Sequence, residues 1–205
     1  MSLTVTYDVS LADVKVSTYL SDWAAGFFTA GHGYSNTGGF NTGTFSGSEY
    51  ATHGANGSDY AFIAGSDTAN GLNYVFNPAL PASSNANHYL WGSLDDVSLG
   101  YLLDGGSGSN YTLDSDVVTF SGLDLDAALG AGRVGNEVHQ TIYGLMQGDT
   151  SALVSVLNDL LTGYDVTLDS TFAQVASALA NGPVSALSAD AVGVQALPED
   201  LALAA

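Results

Sequence analysis

Two side chains in this sequence stand where they could do chemistry together. Tyr74 and His88 frame the stretch LNYVFNPALPASSNANHYLWG, residues 72–92. A short apolar run carries the tyrosine, a loop of Pro, Ala, Ser and Asn follows, and a second apolar run begins beside the histidine. Two strands flanking one connection would put a phenol and an imidazole at its two feet, within hydrogen-bond reach of each other. Taken alone, such a pair also fits the half-buried rim of a sheet, where aromatic residues are common.

The other histidines are His32, His53 and His139. His32 lies between two glycines in a long polar stretch, His53 lies in the polar run THGANGSD, and His139 sits among apolar residues of a predicted helix. On residue type alone these read as an exposed loop residue, a solvated residue and a core-edge residue. None belongs to an H-E-x-x-H zinc pattern, and no G-x-S-x-G nucleophile elbow is present. The runs LDGGSGSNYTLDSD and TGGFNTGTFSGSEY are acidic and glycine-rich, but neither keeps the spacing of an EF-hand loop or repeats as a nonapeptide array. With no cysteine in the chain, a disulfide framework, a thiolate metal site and thioether-linked haem are all excluded.

Composition narrows the classes further. The 205 residues suit one domain with a sizeable core, and 46% hydrophobic residues argue for a globular fold. Two basic residues, Lys15 and Arg133, face 21 acidic ones, for a net charge of -19. That field repels phosphate backbones and anionic lipid, so nucleic acid is not an expected partner. The N-terminus has no charged n-region followed by an apolar h-region, and no apolar run is long enough to span a bilayer.

The elements that must position the pair follow from periodicity. Leu3 to Val9 alternates as a strand. Leu20, Trp23, Ala24, Phe27 and Phe28 share one helical face behind Ser17 as an N-cap. The stretch TAGHGYSNTGGFNTGTFSGSEY reads as one long loop. The runs AFIAG, LNYVF and HYLWGSLDDVSLG read as strands, and Tyr111 to Leu123 as another. In the second half the period becomes helical: Val138, Ile142, Leu145 and Met146 share a face, as do Leu153, Leu157, Leu160 and Leu161 behind Thr150. A third helix over Phe172, Val175, Ala176 and Leu179 is expected behind Ser170. Strands first and helices later predict an α+β fold, an antiparallel sheet with helices packed on one face. Residues 1–181 are expected to form the domain and residues 182–205 a flexible tail.

The order of these pieces resembles the secreted bacterial haem-acquisition proteins, the HasA hemophores. The N-terminal strand, DWAAGFF, NTGGFN, SGSEYA, AFIAG, HYLWGSLD, IYGLMQGD, STFAQVA and VGVQALPEDLALAA are collinear with that family over nearly the whole chain. The resemblance implies a curved antiparallel sheet with helices on one side and two loops that clamp one ferric haem b non-covalently. His32 and Tyr74 would be the axial ligands of the iron, and His88 the partner hydrogen-bonded to the tyrosine. Tyr143, Met146 and Phe76 would line the haem pocket. The connection from Tyr74 to His88 is longer here than in the family pattern.

The resemblance further implies a monomeric carrier, not an enzyme. It would be secreted by type I machinery through its C-terminal end and would deliver haem to an outer-membrane receptor, without inserting into a membrane. A reading from another class is an extracellular calcium-dependent or structural β-rich protein, with Tyr74 and His88 as sheet-rim residues. The implied ligand set has a physical logic. Ferric iron in a porphyrin dianion keeps one positive charge, and an anionic phenolate neutralises it while favouring the ferric state. A free tyrosine ionises only near ~10, so the phenolate needs the metal and a neighbouring base.

Overall fold

The computed structural model describes residues 2–27, 38–55 and 57–183. His32 lies outside the described residues, as do residues 184–205. The described chain is an open antiparallel sheet with four helices, the α+β class expected. Its strands are β1 (Thr4–Tyr7), β2 (Gly39–Phe40), β3 (Ser46–Gly47), β4 (Glu49–His53), β5 (Tyr60–Gly65), β6 (Leu72–Val75), β7 (Tyr89–Tyr101), β8 (Asp104–Gly105), β9 (Tyr111–Thr112) and β10 (Ser115–Ala127). The main sheet runs β1-β10-β7-β5-β4-β2, while β6 pairs with β7 and with β3. The strand β7 is thus the spine: Leu72 to Val75 pair with its first half, and Tyr60 to Gly65 with its second.

Alternation sorts the two faces. The cross-strand row Val5, Phe120, Val97, Ala64 and Tyr50 lies in the core. The next row, Thr6, Thr119 and Ser98, points the other way, and its Ser98 and Thr119 hydroxyls meet at 2.8 Å. The core face is covered by α1 (Val16–Gly26), α2 (Glu137–Met146), α3 (Ser151–Leu160) and α4 (Phe172–Asn181). Trp23, Ile142, Leu145, Leu153, Leu157, Phe172 and Val175 from these helices, with Phe27 just past α1, join the sheet in one apolar cluster. The register of β10 against β7 shifts between Ser121 and Leu125, around Gly122 (φ +77°) and Asp124 (φ +50°). Such a bulge bends the strand. Any side chain at residue 122 would run into the Ser2 carbonyl, so glycine is required there.

The N-terminal helix is stitched to the C-terminal one. Val16 N–H donates to the Ser170 carbonyl, Ser17 N–H to Leu168, and Phe172 N–H to Val14, around an antiparallel bridge between Lys15 and Thr171. Three details differ from the sequence expectations. The N-cap of α1 is Lys15, and Ser17, in the first turn, donates its hydroxyl to Asp169 instead. The cap of α4 is Thr171, which forms a capping box with Gln174, while Ser170 accepts from Thr167 N–H. Thr150 does cap α3 by position, but the side chain that bonds the helix start is Asp149, through Ser151 N–H at 2.8 Å. The long glycine-rich stretch also is not all loop, since residues 39–40 and 46–47 are strands. Tyr111 to Leu123 divides into β9 and the start of β10.

Asp96 on β7 gives the sheet a pH dependence. Burial pushes its carboxyl up to about 6, with Asp67, Asp95 and Glu49 adding to the shift. A carboxyl raised in the folded state contributes stability below the unfolded value of 3.8 and loses it as pH rises through about 6. At neutral pH the Asp96 charge therefore destabilises the fold. Asp96→Asn is expected to raise the thermal midpoint at pH 7.5, with the gain disappearing near pH 3.5. Equal midpoints at pH 7.5 would contradict this account.

Candidate functional site

Tyr74 sits in β6 opposite Leu90 of β7, so the tyrosine is carried by a paired strand rather than a free loop. His88 is the residue immediately before β7. Its φ of +54° is a left-handed conformation that costs a non-glycine residue energy and turns the imidazole back across the connection. The Tyr74 hydroxyl and His88 Nδ1 meet at 2.5 Å. The longer connection therefore still brings the two feet together.

A buried asparagine explains how the loop achieves this. Asn87 accepts from Asn77 N–H at 2.8 Å and from His88 N–H at 3.0 Å. Its amide nitrogen donates back to the Asn77 carbonyl at 3.0 Å and the Leu80 carbonyl at 3.2 Å. The backbone between is a series of turns, with Leu80 N–H on Asn77, Ser84 N–H on Pro81 and Asn87 N–H on Ser84. These are the turn residues that Pro and Asn favour. One side chain thus closes the loop on itself and fixes the residue next to the imidazole.

Aromatic rings surround the pair. Phe45 stacks on Tyr74 with centroids 6.1 Å apart, and Phe76 lies 5.1 Å from the His88 ring. Phe45, Phe76 and Tyr143 are each about half exposed, at 51%, 50% and 44%. Large rings left open beside a half-buried phenol form a surface that a flat apolar ligand would cover. Met146 is partly buried, packed against the core with its sulfur accepting from the Tyr50 hydroxyl at 3.3 Å.

Burial raises Tyr74 above the usual phenol range, Tyr143 adds to the rise, and the Arg133 charge opposes it. The phenol is therefore protonated at neutral pH, and any cation that takes its oxygen as an anion must displace that proton.

Of the remaining histidines, His139 is buried in α2, its Nδ1 accepting from Leu90 N–H at 3.4 Å and its ring stacked on Tyr143 at 5.2 Å. This is the core-edge role expected. His53 is exposed at the end of β4, beside the Gly54 carbonyl at 2.7 Å. Sequence reasoning missed Arg133, Asn85 and Asn87. Arg133 donates to the carbonyls of Ser83 and Ser84, and Asn85 accepts from the N–H groups of Arg133 and Val134. The one local signal was a lone cation among glycines, in GAGRVGN.

The family described as Heme-binding protein A (HasA) matches residues 1–205. The chain belongs to the HasA family. A curated HasA relative, Hemophore HasA of Serratia marcescens, is 40% identical over 188 residues, which cover 89% of this chain and 94% of that protein. Solved structures of hemophore HasA from Yersinia pestis have the same fold. The apo hexagonal form and the holo form each give a TM-score of 0.67 at 24% identity, covering 84% of this chain and 94% of theirs. The apo tetragonal form gives 0.65 at 25%, covering 84% and 92%. The HasA fold thus supports the α+β architecture traced above.

Proposed function

We propose that the chain is an extracellular hemophore. It binds one ferric haem b non-covalently, as cargo, between the loop carrying His32 and the loop that joins Tyr74 to His88. Tyr74 and His32 ligate the iron, and His88 supports the tyrosine. Tyr143, Phe76 and Met146 border the porphyrin. The protein is a monomeric carrier rather than an enzyme. Residues 182–205 serve as the type I export signal, and the haem is passed to an outer-membrane receptor.

The observation that carries this reading is the Tyr74 to His88 hydrogen bond of 2.5 Å, set among half-exposed rings in a HasA-family chain. The donor set fits the cargo. A phenol oxygen is a hard ligand suited to ferric iron, an adjacent imidazole favours its deprotonation, and the rings supply apolar contact. The calcium reading finds no comparable support: among the described residues no group of three or more His, Asp or Glu side chains could hold a metal ion. Also among the described residues, no helix is long and apolar enough to cross a membrane.

The test is an absorbance titration of the purified chain with ferric haem. Saturation at one haem per chain, with a defined charge-transfer band that disappears in Tyr74→Phe, is the expected result. Unsaturable broadening, or an unchanged band in Tyr74→Phe, would overturn the assignment.

A further inference from the structure

The connection between β10 and α2 is bonded both to the start of β7 and to the tip of the tyrosine loop. Gly130 N–H donates to the Tyr89 hydroxyl at 2.8 Å. The Asn136 amide bridges the Leu90 carbonyl at 2.8 Å and the Gly132 carbonyl at 2.7 Å, while its oxygen caps α2 through His139 N–H. Leu90 is the residue paired with Tyr74.

Farther out, the Arg133 Nη2 donates to the Ser83 carbonyl at 2.6 Å and the Ser84 carbonyl at 2.9 Å. Asn85 Oδ1 accepts from Arg133 N–H at 2.9 Å and Val134 N–H at 2.8 Å. The two segments lie so close at Gly132 (φ +75°) that a Cβ there would sit 2.8 Å from the Asn85 carbonyl oxygen. One guanidinium nitrogen spanning two successive carbonyls, backed by an asparagine spanning two successive amides, is a latch across two loops. It is not a charge pair.

We infer that Arg133, through this latch with Asn85 and the Ser83 and Ser84 carbonyls, is a positioning residue that holds residues 77–87 so that His88 stays on Tyr74. The inference rests on the hemophore reading for its consequence, and on the hydrogen bonds alone for its geometry. Asn87 closes the loop internally, but among the described residues none of its hydrogen bonds fixes the loop tip against the rest of the molecule. Residues 130–136 do. They also hold Tyr89 and Leu90, so the strand beneath Tyr74 and the loop above it share one brace. The role falls to arginine because one planar group presents several N–H donors in fixed directions, which a lysine ammonium does not.

A charge effect and a latch predict different results, and Lys15 separates them. It is the chain's only other basic residue, placed at the start of α1. In the haem-free protein, amide hydrogen exchange at Asn77, Asn87 and His88 is expected to speed up in Arg133→Ala and Asn85→Ala, and to stay unchanged in Lys15→Ala. With ferric haem bound, Arg133→Ala should dissociate about tenfold faster, a loss typical of removing a hydrogen bond from a charged group. Arg133→Lys should fall between it and the parent.

A double-mutant cycle with His88→Ala then identifies the route. If Arg133 acts through His88, the double variant releases haem at the rate of His88→Ala alone. Multiplying rates, or exchange that rises across the whole sheet rather than at the loop, would overturn the inference. If the parent chain takes up no haem at all, the hemophore reading fails, while the exchange data still decide whether the latch exists.

Discussion

Ferric haem should leave Tyr74→Phe on the order of a hundredfold faster than it leaves the parent chain, about 2.7 kcal/mol of lost binding. The substitution keeps the ring that stacks on Phe45 and removes only the oxygen, so the loss reports the iron bond and not the packing. Two terms disappear together, the coordinate bond and the neutralisation of the charge that ferric iron keeps inside a porphyrin dianion. His32→Ala should cost less, about tenfold. A neutral imidazole gives up no charge compensation, so only its coordinate bond is lost. Tyr74 is fixed by β7 on one side and by its own N–H on the Phe45 carbonyl. Stopped-flow transfer of haem to an excess of apomyoglobin measures both rates. If His32→Ala releases haem faster than Tyr74→Phe, the ranking is reversed and the tyrosine is the secondary ligand.

Acid should release the haem, and the sign follows from the phenol. Burial raises Tyr74, so the haem-free protein holds that proton at neutral pH and phenolate coordination must displace it. Each unit of falling pH then weakens binding by up to about tenfold, the effect of one competing proton. His88 at 2.5 Å is the neighbour that stabilises the deprotonated oxygen. His88→Ala should therefore bind more weakly at neutral pH, and its pH profile should follow the phenol alone. Ferric-haem spectra of both proteins across an acid titration compare the two profiles. Superimposable curves would mean that the hydrogen bond has no part in holding the iron.

Much of this was legible in the sequence because it rests on alternation and on punctuation by Pro, Asn and Gly. The strand that carries Tyr74 and the strand that begins just after His88 could be read from LNYV and HYLWG, and their being joined by one loop put the pair where it could meet. The helices over 137–146 and 151–160 followed from their apolar stripes. What was missed has a common cause. The strands at 39–40 and 46–47 are too short to show a period, and their ladders are set by pairing with β4 and β6. The starts of α1 and α4 lie two residues before Ser17 and one after Ser170, at Lys15 and Thr171, which the antiparallel bridge between those two residues pins together. In the sequence Arg133 counts only as one of two cations facing 21 acidic residues. Its partners are backbone carbonyls some fifty positions away, and carbonyls have no sequence signature.

The stitching of the first helix to the last has a consequence for how the protein is made. Thr4 to Tyr7 find their strand partners only at residues 118–121, and Val14 to Ser17 find theirs at 168–172. A chain emerging from the ribosome therefore carries its N-terminal strand and the Trp23 helix unsatisfied until almost the whole domain has been synthesised. Closure over such long separations is slow, because the entropy of the intervening loop is lost before the contacts form. The nascent chain is thus expected to stay open for most of its synthesis, with its most aromatic helix exposed.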